Sequence, residues 1–169
     1  MLAALALRLV LTGCGGSEPP VPTPTPAPTA AFASEEEALA AAVEAYGRFT
    51  SVSDEIGQAG GIGSERLLAV AAGDFMVGTV DGYRDWNEKG WRQIGSKTFH
   101  DVSIQSIFSN GVVVYLCEDI SNVDVVDSAG ASVVSATRVD TYFFQVELEM
   151  SPEDRLLVTG RERWDDRSC

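Results

Sequence analysis

The stretch Val102-Ser103-Ile104-Gln105-Ser106-Ile107-Phe108-Ser109-Asn110-Gly111-Val112-Val113-Val114-Tyr115-Leu116-Cys117-Glu118-Asp119 decides the fold. Val102, Ile104, Ser106 and Phe108 alternate with Asp101, Ser103 and Gln105, the period of a strand buried on one face. Asn110-Gly111 is the preferred two-residue hairpin turn, so the next segment is expected to return antiparallel. Residues 112–117 are apolar on both faces, which predicts a central strand covered by a helix on one side and by more chain on the other.

Downstream the same period recurs. Asp127-Ser128-Ala129-Gly130 marks a turn. Tyr142, Phe144, Val146 and Leu148 alternate with Thr141, Phe143, Gln145, Glu147 and Glu149, and Ser151-Pro152-Glu153-Asp154 turns the chain into Leu156, Val158 and Trp164. A register placing Val146 and Leu148 beside Leu156, Val158 or Gly160 buries both apolar faces together, and a slip of one residue exposes one of them.

Upstream the period changes to that of a helix. Ser34-Glu35-Glu36-Glu37 is a capping box with three acids at the positive end of the helix dipole, and Leu39, Val43, Tyr46 and Phe49 give one apolar face out to about Ile56. Gly57, Gly60, Gly61 and Gly63 break that helix. They follow no strand and lack the Gly-Lys-Ser/Thr ending of a phosphate loop, so they read as a connection, and no cofactor is implied. Ser64 is expected to cap a second helix carrying Leu67, Leu68 and Val70. A third, from about Asp74, carries Phe75, Val80, Tyr83 and Trp86 and stops at Gly90. Three helices followed by four or more antiparallel strands make an α+β domain with helices on one face of the sheet.

The first residues have another purpose. Residues 2–11 are apolar but too short for a bilayer, which needs about 20 residues; they read as a signal h-region, although the only basic residue, Arg8, interrupts the run. They lead into Leu11-Thr12-Gly13-Cys14, which resembles the lipobox of bacterial lipoproteins, whose cysteine receives diacylglycerol. From Gly15 to about Ala33 the chain is rich in Pro and Thr and without apolar periodicity. Such a tether, in polyproline II form, reaches some tens of Å. The expected organisation is a signal peptide at 1–13, a lipidated Cys14 and tether at 14–33, and one domain at 34–169, on the outer face of the cytoplasmic membrane.

The formal charge of −13 makes nucleic acid an improbable partner and excludes electrostatic attachment to anionic lipid, leaving the lipid on Cys14 as the membrane contact. With Cys14 acylated, Cys117 and Cys169 remain in a compartment where disulfides persist, which predicts a bond between them. The alternative is a buried free Cys117 and a frayed Cys169.

The order of capped helix, glycine break, two shorter helices ending in Gly90-Trp91, and a meander with a core and a C-terminal cysteine resembles the nuclear transport factor 2-like (SnoaL-like) superfamily. In particular it is similar to lipoproteins of high-GC Gram-positive bacteria that carry such a domain. Val-Val-Val-Tyr-Leu-Cys-Glu-Asp at 112–119 is part of the likeness, which spans about residues 34–169. It implies a cone: a curved antiparallel sheet with N-terminal helices packed on it. Members include isomerases, dehydratases and epoxide hydrolases, and many non-catalytic binding and scaffold domains; related folds often dimerise through the exposed sheet face.

No catalytic residue transfers. No position matches the Tyr-plus-Asp arrangement of ketosteroid isomerases, the inward strand positions read as mostly apolar, and Asp101 and Asp140 near Arg138 read as solvated charges rather than an acid and its partner. His100, the one histidine, builds neither a multi-histidine metal site nor a triad. Asp119, Asp124 and Asp127 lack calcium-loop spacing, so no metal is expected. Tyr46, Tyr83, Trp86, Tyr142 and Phe144 are the candidate pocket lining, against the plainer reading that they are core. The function expected is a non-catalytic ligand- or protein-binding module meeting an envelope protein or a small hydrophobic ligand. The alternatives are an enzyme acting on such a ligand inside the cone, and a homodimeric envelope protein.

Overall fold

The computed structural model describes residues 31–169. Cys14, its lipobox-like context and nearly all of the Pro/Thr tether lie outside them. In order come α1 (Glu35–Gln58), a 3-10 helix (Ser64–Ala69), α2 (Gly73–Lys89), β1 (Arg92–Ile94), β2 (Thr98–Phe108), β3 (Gly111–Asp119), β4 (Asp124–Val126), β5 (Thr141–Met150) and β6 (Leu156–Arg163). β2-β3-β5-β6 form an antiparallel sheet, and β1 pairs with β4 in a second, two-stranded one. α1 packs against β2 and β6, and α2 against β6. The fold class implied by the resemblance, α+β with N-terminal helices on a curved antiparallel sheet, is the one observed.

Ser34 caps α1: its Oγ accepts from Glu37 N at 3.1 Å, and the Glu37 carboxylate reaches back to Ala33 N at 2.7 Å. The buried face of α1 is rotated from the expected stripe. Ala38, Ala42, Ala45, Tyr46 and Phe49 are buried, whereas Val43 is exposed, because the small alanines let the helix approach its neighbours closely. Ser64 does not cap a second α-helix. It is the first residue of the six-residue 3-10 helix, whose flanking residue is Gly63 in left-handed conformation with no side-chain cap. The chain after that turn lies along the edge of β6, with Ala72 N donating to Val158 O and Val158 N to Val70 O, so this sheet edge is partly covered.

A β2–β3 hairpin forms at the expected place, but its turn residues are Ser109 and Asn110, with Gly111 already in β3 opposite Phe108; β3 is central, between β2 and β5. Val112, Val114, Leu116, Val146, Leu148 and Val158 face the helices and are fully buried. Leu148 stands opposite Val158 and Met150 opposite Leu156. The strict alternation expected in β2 fails: a bulge between Ile104 and Ser106 puts Ile107, not Phe108, opposite Val112. On the other face of β3, Cys117 is bonded to Cys169, 52 residues on. Closing a loop of that length is worth about 4 kcal/mol in the chain-entropy account. The C-terminal segment it pins covers the convex side, where Tyr115 meets Phe143 and Trp164 at centroid separations of 5.4 Å. Among the described residues no helix is long and apolar enough to cross a membrane.

Candidate functional site

Between α1, α2, the concave face of the sheet and the 120–138 segment lies a cavity of about 470 Å³. Phe49, Phe75, Trp86, Tyr83 and Tyr142 supply aromatic wall, and Ile120, Val123, Val125 and Val134 close it from the segment carrying β4. Its size falls within the roughly 300–1,000 Å³ of small-molecule sites.

The inward strand positions are mostly apolar, as expected, but the floor of the cavity is polar at two of them, Glu118 and Arg161. Glu118 continues the inward series Val112, Val114, Leu116 and is 3% exposed. One carboxylate oxygen accepts from Tyr46 Oη at 2.8 Å, the other from Arg161 Nη2 at 2.6 Å. The Arg161 guanidinium lies 3.6 Å from the centre of the Phe144 ring. Its Nε is shielded from solvent and has no hydrogen-bond partner among the described residues. Arg161 reaches this position through a bulge: β6 shifts register between Glu147 and Leu148 of its partner, so Arg161 stands opposite Val146 instead of falling on the convex face.

A second polar group borders the same cavity. Asp54, on the buried face of α1, accepts from Gln93 Nε2 at 2.7 Å and Lys97 N at 3.0 Å, and forms an ion pair with Lys97 Nζ. Gln93 and Lys97 line the cavity. Tyr83 Oη donates to Ser53 O at 2.7 Å and is equally close to Ser53 Oγ. Arg138 ties down the closing segment through Ile120 O at 3.0 Å and Val123 O. On the far side of α1, Asp54 and Lys97 also border a more polar groove of about 500 Å³ with Thr50, Ser51, Glu55 and Gln58.

Burial raises the Tyr46 phenol far above its ordinary range, with Glu118 adding to and Arg161 opposing the shift. Tyr83 is raised as well, chiefly by burial. Both are therefore neutral donors, not bases. Glu118 has both oxygens engaged. The arrangement suits holding a molecule more directly than abstracting a proton.

Of the aromatic residues singled out in the sequence, Tyr83, Trp86 and Tyr142 line the cavity. Tyr46 is fully buried behind it and acts through Glu118, and Phe144 supports Arg161. Arg138 also reaches the cavity, but its ion-pair partner Asp140, at 3.2 Å, is exposed. Asp101 is exposed and bonded to His100 Nδ1 at 2.9 Å. His100, Asp101 and Cys117 bring ligand atoms within 4.8 Å of one another, but the Cys117 sulfur belongs to the disulfide, so they offer no thiolate. Asp119 and Asp127 accept backbone N–H groups of their own turns, and Asp124 accepts from Ser132 Oγ at 2.7 Å. Sequence reasoning missed Glu118, Arg161, Asp54, Gln93 and Lys97. Glu118 had a signal, being the next residue in the inward alternation of β3.

No protein-family model and no curated protein matches the chain. Among solved structures, the intermembrane space region of chloroplast protein ARC6 is similar with a TM-score of 0.55 and 16% identity, over 74% of this chain and 95% of that one. Aln2 from a Streptomyces species gives 0.46 and 18%, over 75% and 89%. A protein from Catenulispora acidiphila in complex with S-DNPA gives 0.48 and 14%, over 73% and 90%. At such identities the likeness to the ARC6 region is one of fold alone.

Proposed function

We propose that this chain is a lipid-anchored extracytoplasmic binding module whose cone cavity takes a small, largely apolar molecule. The observation that carries the binding reading is the cavity itself, about 470 Å³ with aromatic walls over a polar floor. A concave space of this size, walled by aromatic side chains and with a few convergent polar groups, has the makeup of a small-molecule site. Leu11-Thr12-Gly13-Cys14 and the Pro/Thr-rich segment after it support the anchor and tether. Held outside the cell in this way, the domain meets small molecules or envelope proteins rather than cytoplasmic ones.

The test is native mass spectrometry of the protein purified from its own host, with titration of a neutral apolar probe, N-phenyl-1-naphthylamine, followed by Trp86 quenching. A co-purifying small molecule, or saturable quenching that Trp86→Phe abolishes, is the expected result. A protein that carries nothing and shows no saturable quenching has no ligand-binding cavity in solution, and the proposal falls.

The carboxylate beside a tyrosine, Glu118 and Tyr46, favours a second reading, an enzyme acting on the bound molecule. Turnover of a co-purified ligand by the wild type but not by Glu118→Gln would establish it.

A further inference from the structure

Two of the cations around the cavity have donors to spare, while each carboxylate oxygen already accepts a bond. Both oxygens of Glu118 accept bonds, as do both oxygens of Asp54. The Tyr46 hydroxyl is spent on Glu118, and that of Tyr83 on Ser53. Arg161 differs: Nη2 serves Glu118, while Nε is buried without a partner among the described residues. A buried donor left unpaired is uncommon in a folded protein and calls for an acceptor. Lys97 offers three N–H donors and has one side-chain partner, Asp54.

The lining includes three cations, Lys97, Arg138 and Arg161, and one carboxylate, Glu118. Asp54 stands behind Lys97, and Asp140, the partner of Arg138, is exposed and screened by solvent. Each of the three has a carboxylate partner, so the site carries no net positive charge; what it offers an anion is the donors of Lys97 and Arg161 that those carboxylates leave over, inside apolar walls. In such low-dielectric surroundings a fixed cation discriminates strongly between an anion and its neutral isostere.

We propose that the ligand is an apolar molecule bearing one carboxylate, which sits against Arg161 and Lys97 while its body fills the aromatic part of the cavity. The proposal rests on the reading of this cavity as the ligand site. Arg161 is suited to the role because Phe144 below and Glu118 beside it hold its guanidinium in place before any ligand arrives. The Glu118–Arg161–Tyr46 group is then a preorganised anion receptor, with Glu118 positioning the arginine.

The test compares 2-naphthoate with 2-naphthamide, equal in shape and differing in charge, by calorimetric titration of the whole purified chain. The wild type is expected to bind the carboxylate at least ~10-fold more tightly, the discrimination that one charge-assisted hydrogen bond supplies. Because Arg161→Met alone strands a buried Glu118, the variant is the double substitution Glu118→Gln with Arg161→Met, its fold checked by circular dichroism. In it the preference for the carboxylate is expected to fall toward unity. Equal binding of both compounds by the wild type overturns the carboxylate proposal and leaves the cavity a neutral site. A preference that survives in the folded double variant overturns the assignment to Arg161. Binding of neither compound overturns this proposal and the binding reading together.

Discussion

Glu118 would be costly where it lies if it stood alone, since taking a carboxylate out of water costs several kcal/mol even after relaxation. Arg161 and Tyr46 offset that cost by occupying one oxygen each. Removing one partner is therefore worse than the bond count suggests. Tyr46→Phe leaves a buried carboxylate oxygen without its donor, and a loss of about 1–3 kcal/mol is expected in urea unfolding at neutral pH. The pH profile separates this from lost packing. The Tyr46 phenol is raised above its ordinary value of about 10, so the folded state holds the proton more tightly than the unfolded chain does. Its contribution is fully present below pH 10 and is lost as pH rises above it, because the unfolded phenol ionises first. Wild-type stability should fall from about pH 10 upward more steeply than that of Tyr46→Phe. Parallel profiles would show that the phenol is not buried in this way.

At the scale of elements, the parts legible in the sequence are those set by local rules: the capped start of α1, the existence of the β2–β3 hairpin though not its turn residues, the central β3 and the pairing of Leu148 with Val158. What alternation missed are the bulges: two in β2, one of which sets Ile107 rather than Phe108 opposite Val112, and one in β6 that turns Arg161 inward. A bulge inverts every position beyond it, so the period carried on from Leu156 and Val158 would set Arg161 on the convex face. The β1–β4 pair was equally invisible, being two three-residue strands joined only through the tertiary fold. The corner between β1 and β2 shows how tightly that pairing is built. Gly95 has φ +78°, its carbonyl accepts from Gln58 and Gln93, and a Cβ there would lie 1.7 Å from the Asn122 carbonyl oxygen. Gly130 has nearly the same φ, +83°, with open space around it. Gly130→Ala should therefore cost only the conformational penalty, about 1–2 kcal/mol. Gly95→Ala must also push two backbone segments apart and is expected to cost more than ~3 kcal/mol or prevent folding. Equal midpoints for the two variants in urea would mean that β1 and the Asn122 turn are not in close contact.

For the whole molecule the question is what could hold so acidic a domain at a membrane, as the proposed function requires. The charge of −13 becomes −14 once residues 1–13, which carry Arg8 and no acid, are removed. Anionic headgroups repel such a surface, and the repulsion extends over about 8 Å at physiological ionic strength. The described residues supply no spanning helix to oppose it. Under the proposed function the attachment therefore depends on acylation of Cys14. One myristoyl-length chain binds only reversibly, so the diacylglycerol a lipobox cysteine receives is what makes the attachment lasting. Two outcomes are expected from metabolic palmitate labelling in the native host: the wild type is labelled and sediments with membranes, and Cys14→Ser is unlabelled and appears in the medium or periplasm. High salt should not release the labelled protein, because no ionic contact holds it. Release by salt, or membrane retention of Cys14→Ser, would show that a protein surface rather than a lipid makes the contact, and the convex face bearing Tyr115, Phe143 and Trp164 would then be the first place to substitute.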